Sequence, residues 1–369
     1  MRSSIIDIIK GISIIMIVNV HLLSGNCFAI GCTFHVIAFF FTAGLVHAMK
    51  SKWNSISFRS FTSALLKRLG YPFLTLHVCY LVVHIAVNLF RGESLLNETI
   101  ITVTLKAMSL QGVGTLWFLP VLFFGECFFF FLKRRKINDI VPLILGVLSV
   151  FVSSYLNSKG FKQLQDYCGF DFLFIVVKNI IVLSLSSIVA SSIIALGSHL
   201  LMKYPSLFAE KKHISNRLFL IVCIICIISL IVNYALIRAY RGDLHKLDIG
   251  NPFIYIICSM AGLSFVTSLA YIINNRIKAL SRVLIYYGRN SLIVMTTHTE
   301  YHLNTIVHIF VTTGLIRIGL SLGSECISCL SLILIMILEV GVIFLVKRSW
   351  LQYLYNYELL KGTLSQKRQ

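Results

Sequence analysis

Two ionisable side chains interrupt the otherwise hydrocarbon stretch DIIKGISIIMIVNVH, Asp7 to His21. Lys10 and His21 are eleven positions apart, which on a helix brings them within roughly 20° of one face and about 16 Å apart along the axis. A lysine this deep in an apolar helix, with Asp7 one turn away, points to a functional or structural charge pair. An imidazole at the far end of the same face is suited to taking and returning a proton near neutral pH. FHVIAFFFTAG carries a second imidazole, His35, to the same side across a short loop. A cleavable leader does not account for the first stretch, because Asp7 and Lys10 sit inside it and no small-residue cleavage site follows.

Two further stretches carry chemistry. In GTLWFLPVLFFGE, Trp117 suits a membrane interface, Pro120 falls in the first turns of a helix, and Glu126 lies well inside hydrocarbon. A carboxylate at that depth is costly and is expected to face a cavity or a cation. In YYGRNSLIVMTTHTEYH, Gly288 ends one element and Asn290 or Ser291 caps the next. The positive start of that helix, beside Arg289, is an expected phosphate seat. His298 then falls about 12 Å along the same helix, with His302 one turn farther. The His-x-x-x-His spacing would fit zinc, yet the zincin glutamate is out of place and no third ligand is evident, so no metal is expected.

The elements that must position these groups follow from composition. Of 369 residues, 57% are hydrophobic and 13% charged, and the mean hydropathy is +0.86. The chain is an integral membrane protein. Apolar runs of spanning length fall at about 5–24, 30–49, 71–90, 115–132, 140–156, 180–200, 217–236, 252–273, 290–311 and 327–346. No period-two alternation marks a barrel. The expected fold is an all-α polytopic bundle of about ten transmembrane helices, one membrane-embedded domain over 1–369 with its helical core at about 5–347 and a cytoplasmic tail at 348–369.

Lysine and arginine concentrate in alternate loops: Lys50 to Arg68, the KRRK run 133–136, Lys203 to Arg217, Arg276 to Arg289, and the tail from Lys347. Both termini are therefore expected in the cytoplasm. The formal charge of +19 is mostly this topology signal together with attraction to anionic membrane lipid, and nucleic acid is not an expected partner. The ten cysteines lie mostly in or beside spans, where a thiol acts as a small apolar side chain. CIIC 223–226 and CISC 326–329 lack the second pair of a zinc site, while Cys27 and Cys32 flank an external loop that would permit a disulfide.

These stretches, in order, resemble the acyltransferase-3 family of membrane O-acyltransferases, particularly its sugar O-acetylase branch. Lys10 and His21 match its first-span pattern of a basic residue, ten positions and a histidine, with lysine where many members carry arginine. FHVIAFFFTAG is similar to the family's FHMPLFFFxSG, KRLGYPFL to its basic R-x-x-x-P motif, LWFLPVLFFGE to WFLPALF, and GRNSLIVMTTH to GKNSLxIxxxxH. The resemblance implies acetyl-CoA as co-substrate and, as acceptor, a hydroxyl of a bacterial envelope glycan or lipid-linked oligosaccharide, such as O-antigen, capsule or exopolysaccharide. It also implies a multi-pass enzyme of the bacterial inner membrane.

On that reading, Lys10, Lys67, Arg68, Arg289, Asn290 and Ser291 meet the CoA phosphates from the cytoplasm. The thin pantetheine arm runs along the Lys10–His21 face, and His21, oriented by His35, is the general base, with Lys10 and Glu126 in the catalytic set. Asp7, Trp117, His298 and His302 line the cavity. No hydrolase-like domain is fused, which leaves room for a separate extracytoplasmic partner, and a covalent acetyl-enzyme is left open. The rival reading is a transporter, flippase or polymerase for lipid-linked glycan, with Lys10, Glu126 and His298 as coupling groups.

Overall fold

The computed structural model describes residues 3–23, 25, 28–50, 55–91, 98–168, 171–208, 215–299, 303–318, 320 and 322–366. Among them the chain is almost wholly helical. The principal helices are α1 (Ser4–Val20), α2 (Ile37–Met49), α3 (Phe58–Phe90), α4 (Glu98–Met108), α5 (Phe118–Arg134), α6 (Ile140–Tyr155), α7 (Asp171–Lys203) and α8 (Asn216–Leu236). They are followed by α9 (Pro252–Arg276), α10 (Lys278–Arg289), α11 (Ser291–Thr297), α12 (Leu303–Arg317), α13 (Ser324–Arg348) and α14 (Tyr357–Gln366). A small antiparallel hairpin, β1 (Gly242–Asp243) against β2 (Asp248–Ile249), links α8 to α9.

Seven of the described helices are long and apolar enough to cross a membrane, and α2 and α12 are shorter apolar helices. The chain is therefore a multi-pass helical bundle. Its outer surface is that of a protein solvated by lipid: α8 exposes Leu220, Ile224, Ile227, Ile228 and Ile231 while burying Val222, Cys226, Ser229 and Asn233. No aqueous surface would carry such a stripe. Both CxxC pairs lie on helices of this kind, and their four thiols are free.

The centre of the bundle is α7. Its run of small residues keeps Ala190, Ser191, Ile194 and Ala195 fully buried, and α2, α5 and α6 pack against it. Small side chains allow the close backbone approach on which helix association in lipid depends. The same device joins α1 to α10. A Cβ added at Gly11 would run into the carbonyl oxygen of Leu284, and one added at Gly288 would meet the carbonyl oxygen of Asp7. The two helices touch backbone to backbone, which fixes α1, the carrier of Lys10 and His21, against the segment that leads to His298.

Two breaks shape the interior. In α3 the turn Leu66–Gly70 widens to π geometry just before Pro72, which has no N–H to donate back to Arg68. Lys67 and Arg68 sit on that widened turn. The run expected as one ninth span instead ends its first helix at Thr297, with His298 as the C-cap, and resumes as α12 at Leu303. Thr296 and Thr297 turn their hydroxyls back onto carbonyls of their own helix, at Leu292 and Ile293, a pattern that weakens helix continuation. His302, expected one turn beyond His298 on the same helix, lies outside the described residues, as does Cys27.

The basic clusters gather at one end of the bundle. There Lys133 and His199 meet Asp139, Arg134 donates to the Ile56 carbonyl, Ser4 reaches Asn274, and Lys67 meets Glu358. At the other end the hairpin is fastened by Ser154 to the Gly250 carbonyl, by Asn157 to Asp248, and by Ser186 to the Leu244 carbonyl. By the positive-inside rule the first end is expected to face the cytoplasm. A reporter active only outside the cytoplasm, fused after Gln369, is expected to stay silent. The glycine contact yields a second expectation: Gly288→Val should separate α1 from α10, cost about 1–3 kcal/mol, and lower the thermal midpoint and folded yield in detergent, whereas Gly314→Ala, facing open space, should not.

Candidate functional site

Three cavities succeed one another between the two ends. At the basic end a cavity of about 710 Å³ is lined by Arg59, Lys67 and Arg68 of α3 and by Tyr355 to Glu358 before and at the start of α14. A deeper one of about 220 Å³ is lined by Lys10, His47, Arg68, Glu126 and Ser291 among apolar side chains. The third, about 390 Å³, opens at the far end among His21, His35, Trp117, Tyr240, Arg241, Asp243 and Asp248. Arg68 borders the first two, and Phe118 and Met295 border the second and third. The cavities are therefore neighbours, separated by single layers of side chain. Thr115, which donates to the Met295 carbonyl at 2.6 Å, holds the second of these walls.

The imidazoles at the far end have one tautomer in common. His21 Nδ1 lies 2.8 Å from the Ile17 carbonyl, His35 Nδ1 3.0 Å from that of Gly31, and His298 Nδ1 2.7 Å from that of Val294. A carbonyl only accepts, so the hydrogen-bond network assigns the proton to Nδ1 in each ring and leaves a lone pair on Nε2. His298 Nε2 is 3.3 Å from His21 Nδ1, with ring centroids 5.2 Å apart. The Nδ1–H of His21 is thus shared between Ile17 and His298. The ring expected to orient His21 was His35, but the imidazole within hydrogen-bonding reach is His298, fully buried at the end of α11. Asn304 adds a bond to the His21 carbonyl at 3.0 Å. The tie between α1 and α10 explains the meeting, since α11 follows α10 directly.

Glu126 belongs to a different cluster. Its carboxylate, 1% exposed, accepts from Arg68 Nη2 on one oxygen at 2.5 Å and from His47 Nε2 on the other at 3.0 Å. Burial of a carboxylate in hydrocarbon is tolerated only with such partners. It stands in the middle cavity with Lys10, not among the imidazoles of the far end. Sequence reasoning missed His47. Its signal was a histidine inside an apolar helix, on the face that α2 presents to Glu126.

The remaining expected residues fall as follows. Asp7 pairs with Arg289, Oδ2 to Nε at 2.9 Å, and this ion pair joins α1 to α10. Lys10 faces the middle cavity. Lys67 meets Glu358 at 3.3 Å and sits over the Tyr357 ring. Asn290 occupies the N-cap of α11, but its amide donates back to the Tyr286 carbonyl and makes no side-chain cap to α11. The exposed helix start expected as a phosphate seat is thus a buried junction, while Ser291 reaches the middle cavity. Trp117 lines the far cavity, edge-on to His245 at 5.1 Å. No cluster of three or more His, Cys, Asp and Glu side chains suited to a metal occurs among the described residues.

A charge balance around Glu126 can be tested directly. Arg68→Ala leaves a buried carboxylate with His47 alone, and should destabilise the protein by about 2–4 kcal/mol, with the exposed half of Arg68 keeping the loss below that of a fully buried pair. Adding Glu126→Gln to Arg68→Ala should restore part of the thermal midpoint in detergent, because the orphaned charge is gone.

The family comparison agrees with this architecture. A family model described as an acyltransferase domain matches residues 4–347, from the first turn of α1 to the last turn of α13. No curated protein and no solved structure gives a significant match. With the matched segment covering nearly the whole helical bundle, the chain belongs to the acyltransferase-3 family and is a multi-pass membrane acyltransferase.

Proposed function

We propose that the protein transfers an acetyl group from cytoplasmic acetyl-CoA to a hydroxyl of an envelope glycan, at a bacterial inner membrane. The observation that supports this reading is the succession of cavities from a basic end to a histidine end. The first cavity brings Arg59, Lys67 and Arg68 together, a set suited to the phosphates of CoA through charge-assisted hydrogen bonds. Lys10 and Arg68 in the middle cavity would meet the arm beyond them, and the far cavity is a site where a thioester and a glycan hydroxyl would meet. The roughly 16 Å from Lys10 to His21 along α1 is a span for an extended thin arm, so neither substrate needs to cross the membrane.

The chemistry assigned to the far cavity starts at His21. Its Nε2 lone pair takes the proton of the acceptor hydroxyl as the oxygen attacks the thioester carbonyl carbon. The tetrahedral intermediate collapses with cleavage of the C–S bond. The thiolate leaves toward the cytoplasmic end and takes the proton back from His21. During the step the Nδ1–H of His21 remains bonded to the Ile17 carbonyl and faces the lone pair of His298 Nε2, so the imidazolium is held in place and its charge is met by two acceptors. His298 is on this reading a positioning residue. Glu126, with Arg68 and His47, sets the shape and charge of the donor passage instead of touching the reacting atoms.

The roles separate in mutants at equal folded yield. His21→Gln should lower acetyl transfer by ~10²–10⁴-fold while acetyl-CoA still binds. His298→Gln should cost less, ~10–100-fold, mostly in kcat, and should move the acid limb of the rate–pH profile. Lys10→Arg should keep most activity and Lys10→Ala should weaken donor binding, measured by calorimetry on the detergent-purified protein at two salt concentrations. A His21→Gln protein that transfers at the wild-type rate would remove His21 from the chemistry.

A further inference from the structure

We infer that Arg241 is an acceptor-binding residue and that the sugar acetylated by this protein is acidic, its anionic group held by the guanidinium while a hydroxyl faces His21. The inference rests on the acyl-transfer reading above and adds what the hairpin between α8 and α9 does.

The argument is an account of which polar groups of the far cavity are already spent. Asp243 uses Oδ1 on the backbone N–H groups of His245 and Lys246, closing its own turn, and its other oxygen lies 3.5 Å from Lys246 Nζ. One oxygen of Asp248, Oδ1, accepts from Asn157. Tyr240 donates to the Cys32 carbonyl at 3.3 Å, which ties the hairpin to the turn that carries His35. The groups that remain include both acceptors and donors. The Nε2 atoms of His21 and His35 are acceptors and suit a hydroxyl. Trp117 Nε1–H and the guanidinium of Arg241 are donors, and among the described residues neither has a hydrogen-bond or ion-pair partner.

Arg241 is also aimed by more than chance. Its methylenes lie on Gly250, where an added Cβ would meet them at 3.0–3.5 Å, and its carbonyl accepts from the Gly250 N–H. The platform beneath it is rigid: Leu244, Leu247 and Ile249 are buried. A planar guanidinium is matched to an oxyanion in two-point contact, and Arg241 lines the far cavity while remaining exposed, so an incoming anion can reach it. The anion is a carboxylate of the sugar or a phosphate ester on it, the two sources that offer this chemistry.

The test uses surface polysaccharide from the host, with and without the gene for the full chain. Mass spectrometry and NMR should find the acetyl group that the deletion removes on a residue bearing a carboxylate or phosphate, and its mass tells which. In membrane vesicles given labelled acetyl-CoA, Arg241→Gln should lower transfer to this polysaccharide by ~10–100-fold, with acetyl-CoA binding unchanged and Arg241→Lys losing less. Removing the anion from the polysaccharide, by carboxyl reduction or by cleaving the phosphate ester, should impair the wild type by a similar factor and Arg241→Gln little further. An uncharged acetylated residue, or equal use of the neutralised polysaccharide by the wild type, overturns the inference. A deletion that changes no glycan's acetyl content instead defeats the acyl transfer on which it rests.

Discussion

Helix α1 lies against α10 backbone to backbone, and most of the interior follows from that contact. Gly11 and Gly288 leave no room for a Cβ, so the two helix axes come as close as packing allows. In hydrocarbon there is little hydrophobic gain from pairing helices, and close approach with many dispersion contacts is what remains. The Asp7–Arg289 pair joins the same two helices. Because α11 continues from α10 with one residue between, this contact sets where His298 comes to rest relative to His21.

Two buried carboxylates among the described residues, Glu126 and Asp7, each meet an arginine. Glu126 has Arg68 and His47, and Asp7 has Arg289, while the carboxyl group of Glu339, fully buried on α13, lies 2.8 Å from the Thr297 hydroxyl. Arg68 and Arg289 are each about half exposed at the side chain. Their guanidinium groups neutralise a carboxylate in the protein while keeping contact with a cavity or with water. That arrangement suits the proposed donor passage, which would attract phosphate without holding a net charge of its own in the membrane.

Helices α10 to α12 show where hydropathy and structure part. SLIVMTTHTEYH reads as one continuing span because it holds no proline or glycine. Yet the hydroxyls of Thr296 and Thr297 compete for the helix's own carbonyls, and the break falls at the next residue. His298 consequently caps a short helix and donates its Nδ1–H to Val294, with Nε2 directed at His21.

Class, number of apolar runs and the alternation of basic loops were decided by the sequence itself, because burial in lipid demands long uncharged helices and charge sorts to one side. Spacing alone also set Lys10 and His21 on one face of α1, since that is a property of a single helix. Which imidazole meets His21, that Asp7 pairs with Arg289, that His47 and Arg68 share Glu126, and that the hairpin's Arg241 faces the same cavity were decided only by the tertiary structure. Each of the first three is a contact between residues at least 58 positions apart. Contacts of that kind depend on how closely helices approach and how they rotate about their axes, and hydropathy leaves both undetermined.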